Sequence, residues 1–139
     1  TISICGGNQK MIREWYGGEI SYQTWSLEKE VLLYDSLDIG IMPLPDNEWT
    51  RGKAAYKLML YMSMGKITLS SAVGMNTLLV SPGIDGFLVH KPEQWYESFK
   101  NVLDNYPSLH GIGPRARKKV KERYSLERHS RTFIGLFIK

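Results

Sequence analysis

Cysteine is nearly missing from this 139-residue chain. Cys5 stands alone, so no disulfide can form within the chain and the thiol reads as a small buried apolar residue. His90, His110 and His129 are scattered and no Asp-x-Asp pair occupies a loop, so no metal-ligand spacing is present. Asp35 and Asp38, separated by two residues, read as a helix end and a strand start rather than a hard-cation site. No metal and no cofactor is expected. Nor does any apolar run approach the roughly 18 residues needed to cross a bilayer. The opening TISICGG lacks a basic segment followed by a long apolar one, so no signal peptide is read and cytoplasmic residence is the default expectation. Internal repeats and low-complexity segments are also absent. One further absence is local: between Trp49 and Ile84 there is no acidic residue, while Arg51, Lys53, Lys57 and Lys66 all fall there.

What is present is a globular balance, 42% hydrophobic and 23% charged, enough for one domain with a real core. Short apolar runs alternate with helical patterns. Ile2–Cys5, Glu19–Gln23, Asp38–Met42, Ile67–Ser70 and Phe87–His90 read as strands. Helices are expected at Lys10–Tyr16, at Leu27–Leu37 with Leu27, Val31 and Tyr34 as its apolar stripe and Ser26 as its cap, and from Lys53 to Gly65. Others follow around Asn76–Val80, which Asn76 would cap, at Glu93–Leu103, and at Leu109–Tyr124 and Leu126–Phe137, which meet at Ser125. Strands separated by helices predict an α/β fold, a parallel sheet with helices on both faces and a helical C-terminal end.

In such sheets ligands bind beyond the carboxyl ends of the strands, where Gly6–Asn8, Pro43–Lys53 and Ser71–Met75 would converge. The middle loop is long and carries cations that packing does not explain. Lys53 and Lys57 in the first turns of a helix oppose its dipole, an arrangement an arriving anion would relieve, and unpaired amides at the same end suit phosphate. Trp49 has two readings of equal weight, a stacking platform for a base or sugar, or a plug in the core. The second basic region, Arg115 to Arg131, mixes Glu122 and Glu127 with its cations and reads as a solvated helix face. Membrane-surface contact there stays open, and no nucleic-acid partner is expected.

The succession DIGIMPLPD, RGKAAYKLMLYMSMGK, VGMNTLL, DGFLV, PEQWYESF resembles the C-terminal domain of group 1 glycosyltransferases, retaining nucleotide-sugar enzymes of the GT-B fold with two Rossmann-like domains. The likeness runs from about Trp25 to Tyr124. It implies a donor-binding domain for a UDP- or GDP-sugar, hexosyl transfer in polysaccharide or glycan biosynthesis, and a preceding acceptor domain that this chain lacks. The start of the donor domain, with its Arg/Lys pair for the diphosphate, is missing too, so the isolated fragment is expected to be inactive. By the same resemblance Lys57 matches a lysine that contacts donor phosphate or sugar. Arg51, Gly52 and Lys53 join it, and Gly6, Gly7, Pro43, Leu60 and Gly74 lie near the nucleotide. No catalytic residue is assigned. Gly52 and Leu60 stand where many members carry the two glutamates of an E-x7-E motif, so the usual ribose hydrogen bond is lost. Ile67 replaces the proline of G-x-P-V-V. These departures keep a second reading open, a non-catalytic module that binds nucleotide or phosphate, or a partner, through its basic surface.

Overall fold

A computed structural model describes residues 2–5 and 20–137, divided between two compact units, Thr1–Leu37 and Asp38–Lys139. In the first unit β1 (Ile2–Cys5) runs parallel to β2 (Ile20–Gln23), with Ile2 opposite Ile20. The helix expected at Lys10–Tyr16 and the loop glycines Gly6 and Gly7 lie outside the described residues. Helix α1 (Leu27–Asp35) follows, with Glu28 and Glu30 in the first turn, where the dipole favours them. Its stripe differs from expectation. Leu27 and Val31 are exposed, and the buried residues are Leu33 and Tyr34. At the same helix the Trp25 indole N–H donates to the Glu30 carboxylate at 3.1 Å and the Tyr34 hydroxyl to the same oxygen at 3.5 Å. Ser26 has the extended backbone of an N-cap but makes no capping bond, and its hydroxyl is buried without a partner.

In the second unit β3 (Ile39–Met42), β4 (Ile67–Ser71) and β5 (Phe87–Val89) form one parallel sheet in that order. β3 and β5 are short and mostly apolar, as strands covered on both faces should be, whereas β4 carries Thr68, Ser70 and Ser71 beside Ile67 and Leu69. Around them lie α2 (Glu48–Arg51), α3 (Tyr56–Ser63), α4 (Met75–Leu79), α5 (Trp95–Asp104), α6 (Ile112–Tyr124) and α7 (Leu126–Gly135). Single 3-10 turns at Pro92–Gln94 and Tyr106–Ser108 precede α5 and α6; the first covers the expected start of α5, and a turn at residues 110–111 delays α6 to Ile112.

Alternation along the strands assigns the two faces. Met42 and Leu88 join Leu58 and Met62 of α3 and Ala116 and Val120 of α6 in one apolar cluster. Ile39, Ile67 and Phe87 point the other way and meet Val102 of α5, Leu109 and Ile112. β4 is buried at all five residues, which makes it the centre of the unit. Leu58, Met62 and Leu69 are each fully buried, and burial of side chains of this size stabilises by about 1.5–3 kcal/mol apiece. Gly40 lets α3 close on β3, because a Cβ there would stand 2.3 Å from the Tyr61 ring.

Two polar groups interrupt this core. Thr68 and Ser70 are fully buried on β4, and neither hydroxyl has a hydrogen-bond partner. Thr68→Val keeps the shape and removes one unpaired hydroxyl, so it is expected to raise stability by about 1 kcal/mol. Urea denaturation reads this directly, and a loss of stability would show that the Thr68 hydroxyl is bonded after all.

Candidate functional site

The carboxyl ends of β3 and β4 are joined by polar contacts. After Pro43, which is exposed, the Leu44 N–H donates to the Ser71 hydroxyl at 2.8 Å. The Asn76 amide donates to the Ser71 carbonyl at 3.0 Å, so Asn76 ties α4 to β4 instead of capping the helix, and Gly74 takes the cap position. Pro43 to Lys53 is not one irregular loop either. Asn47 and Thr50 form a reciprocal capping box that starts α2, a single turn ending at Arg51. Thr50 is 5% exposed, and its hydroxyl also donates to the Pro45 carbonyl. The loop is therefore held from inside.

This turn redistributes the cations. Arg51 lies in the last turn of α2, where the dipole favours it, and Gly52 caps that turn. Lys53 precedes α3 rather than sitting in its first turn, and Lys57 is the second residue of α3. Both lysines are exposed. Before α3 stands Ala55 with φ 55° and ψ 30°, a left-handed conformation costing an L-residue roughly 1–2 kcal/mol. Ala55 is buried in the cluster with Leu58 and Met62, which offsets part of that cost. Having only a methyl group, Ala55 offers no side-chain cap, so the opening amides of α3 have no capping acceptor from it.

Gly74 brings the second loop against the first. Its φ is 52°, and a Cβ added to it would lie 2.5 Å from the Arg51 carbonyl oxygen and 2.9 Å from the Arg51 Cα. Only glycine permits both the conformation and the approach. Leu60 is half-buried in α3, and its carbonyl accepts from the Ser63 hydroxyl at 2.8 Å.

Arg51 is already engaged. Its Nε donates to Oδ1 of Asp46 at 2.6 Å and an Nη to Oδ2 at 3.1 Å, a two-pronged pair in the open, with side chains 61% and 57% exposed. The hydrogen bond from Arg51 holds the Asp46 carboxyl below the ordinary range of its kind and pushes the guanidinium up. Asp46 is five residues from Arg51 and lies just outside the acid-free stretch, so that stretch by itself does not show the pairing.

The second basic region also differs from expectation at one position. Lys119 is not solvated: its side chain is 13% exposed and its Nζ donates to the Leu79 carbonyl at 2.7 Å, the Ser81 hydroxyl at 3.0 Å and Asp85 Oδ2 at 2.6 Å. A usable signal existed, because Lys119 lies three residues after Ala116 and beside Val120, on the buried stripe of α6. Together with Arg115, Lys118, Glu122 and Arg123 it borders a cleft of about 330 Å³. His90 and His110 are exposed. No group of three metal-ligating side chains occurs among the described residues, and no helix among them is long and apolar enough to cross a membrane.

No family model and no curated protein matches the sequence. Several solved structures are similar in fold. A glycosyltransferase from Rickettsia africae ESF-5 superposes with a TM-score of 0.74 at 16% identity, over 97% of this chain and 38% of that one. HepE from Anabaena in complex with UDP-glucose gives 0.66 at 15%, over 93% and 35%. The C-terminal domain of LpcC, a glycosyl transferase group 1 family protein from Francisella tularensis, gives 0.65 at 14%, over 85% and 60%. The chain thus spans little more than a third of the Rickettsia and HepE chains. At these identities the likeness speaks to architecture, and the architecture is a Rossmann-like α/β fold with parallel strands, flanking helices and a helical C-terminal end.

Proposed function

We propose that this chain is the donor-binding part of a glycosyltransferase, holding a UDP- or GDP-sugar at the carboxyl ends of β3 and β4 while a separate domain presents the acceptor. The observation that carries the reading is the start of α3, where amides without a side-chain cap follow a left-handed Ala55 and are flanked in sequence by Lys53 and Lys57. Such a helix end attracts phosphoryl oxygens. Gly52, Pro43, Leu60 and Gly74 provide the surrounding backbone, and the likeness to HepE, solved with UDP-glucose, supports the class of ligand. Hexosyl transfer in glycan assembly, in the cytoplasm or at a membrane surface, is the setting this implies.

Cleaving the bond between sugar and diphosphate leaves extra negative charge on the departing phosphoryl oxygens. Fixed cations and amides bind that charge more strongly as it develops, which lowers the barrier rather than merely tightening substrate binding. Lys57, Lys53 and Arg51 are the groups proposed for this role.

Calorimetric titration of the chain with UDP, GDP and UDP-glucose is expected to give binding. Lys57→Ala should weaken it by about tenfold or more, the loss of one hydrogen bond to a charged group. Absence of any heat at millimolar nucleotide would remove the reading. Gly52 and Leu60, standing where the resembled family carries glutamates, favour the second reading, a binding module without catalysis. Nucleotide binding without sugar transfer or donor hydrolysis by the intact protein would select it.

A further inference from the structure

We infer that Asp46 occupies Arg51 in place of a phosphoryl group, so that a diphosphate must displace a carboxylate before it gains the guanidinium. The inference rests on the donor-binding reading above and adds a residue that limits affinity at that site.

The contact has the right form. Two roughly parallel N–H···O bonds, Nε to Oδ1 and Nη to Oδ2, make the same fork that a phosphate takes from arginine. The loop does not need the pair for its shape. Asn47 and Thr50 cap each other, the Thr50 hydroxyl holds the Pro45 carbonyl, and Leu44 is tied to Ser71, so the backbone is fixed on both sides of Asp46. Arg51 is fixed at its own backbone by the close approach of Gly74. What remains free to rearrange is the pair of side chains.

The exchange is also favourable in direction. Both partners are mostly exposed, and an ion pair in that setting contributes little and is easily broken. A diphosphate brings more charge and more acceptor oxygens than one carboxylate, and in the donor-binding reading Lys53, Lys57 and the α3 amides hold it as well. Asp46 thus acts as an internal competitor that lowers the affinity of Arg51 for an anion by a small factor.

The test is titration of the wild-type chain and of Asp46→Asn with UDP, inorganic pyrophosphate and uridine. Asp46→Asn is expected to bind UDP and pyrophosphate about two- to fivefold more tightly, the range that release of an exposed pair allows, and uridine unchanged. Adding Arg51→Ala should abolish the gain. Melting curves accompany both variants, and the single variant is expected to melt as the wild type does. An unchanged or lowered affinity in Asp46→Asn, a gain that survives Arg51→Ala, or unfolding of Asp46→Asn would each overturn the inference while the donor-binding reading stands, provided the wild type binds UDP. A wild type that binds neither UDP nor pyrophosphate at millimolar concentration overturns both.

Discussion

Gly113→Ala is expected to destabilise the second unit by about 3 kcal/mol or more, the upper end of what overpacking costs in a close-packed core. A Cβ on Gly113 would lie 1.9 Å from the carbonyl oxygen of Gly65 and 2.8 Å from its carbonyl carbon. Both are backbone atoms, so no side-chain rotation relieves the clash. Gly65 cannot retreat easily, since it ends α3 with φ 68° while its N–H bonds the Met62 carbonyl and the next amide bonds that of Tyr61. The strain must therefore move α6 as a body, drawing Ala116 and Val120 away from Leu58 and Met62. Gly135→Ala is the control. A Cβ there meets nothing within 4 Å, and in the last turn of α7 the change should be neutral or stabilising by up to about 1 kcal/mol. Urea denaturation of the two variants should separate them clearly, and a Gly113→Ala protein as stable as the parent would mean that α6 does not rest on Gly65.

This contact also marks where sequence reading stops. β3, β4 and α3 are legible because their patterns are local: a compact apolar run fits a strand covered on both faces, and Leu58 and Met62 recur at four residues on the buried side of a helix. Turn α2 is not legible by period, being only four residues long and exposed except at Thr50. Its one sign is the Asn47-x-x-Thr50 spacing of a capping box. Reading α3 back to Lys53 failed because alanine hides the left-handed break at Ala55, which a glycine would have announced.

The candidate site divides in the same way. The cations and the acid-free stretch are visible in one dimension, and Gly74 is visible as a glycine in a loop after a strand. That Gly74 presses on Arg51, and that Asp46 satisfies Arg51, are facts of three dimensions: the first pair is 23 residues apart and the second lies at a spacing of five that no helix face brings together. For α1, the bonds of Trp25 and Tyr34 to Glu30 are local, and the burial of Leu33 and Tyr34 in place of Leu27 and Val31 is set by packing that the helix's own period does not encode.

Lys119→Met should lower stability by about 3–5 kcal/mol, because it strands a buried carboxylate. Asp85 is 4% exposed; one oxygen accepts from the Ser81 amide at 2.7 Å and the other from Lys119. The Ser81 amide alone cannot compensate a full charge in that setting. Asp85→Asn should cost less, since an amide oxygen can still accept from Ser81 while Lys119 keeps the Leu79 carbonyl and the Ser81 hydroxyl. In the double variant Lys119→Met/Asp85→Asn the stranded charge is gone, and most of the stability should return. The coupling between the two sites is then the quantity to measure, by a double-mutant cycle in urea. Additive losses would mean that the pair is solvated and that α6 does not hold the segment from Leu79 to Asp85. A large coupling would instead show that α6 fixes the far end of α4, whose near end begins at Gly74. The backbone against which Arg51 rests is then anchored from behind by an ion pair outside the candidate site, and UDP affinity in Lys119→Met should fall in step with the unfolded fraction and not beyond it.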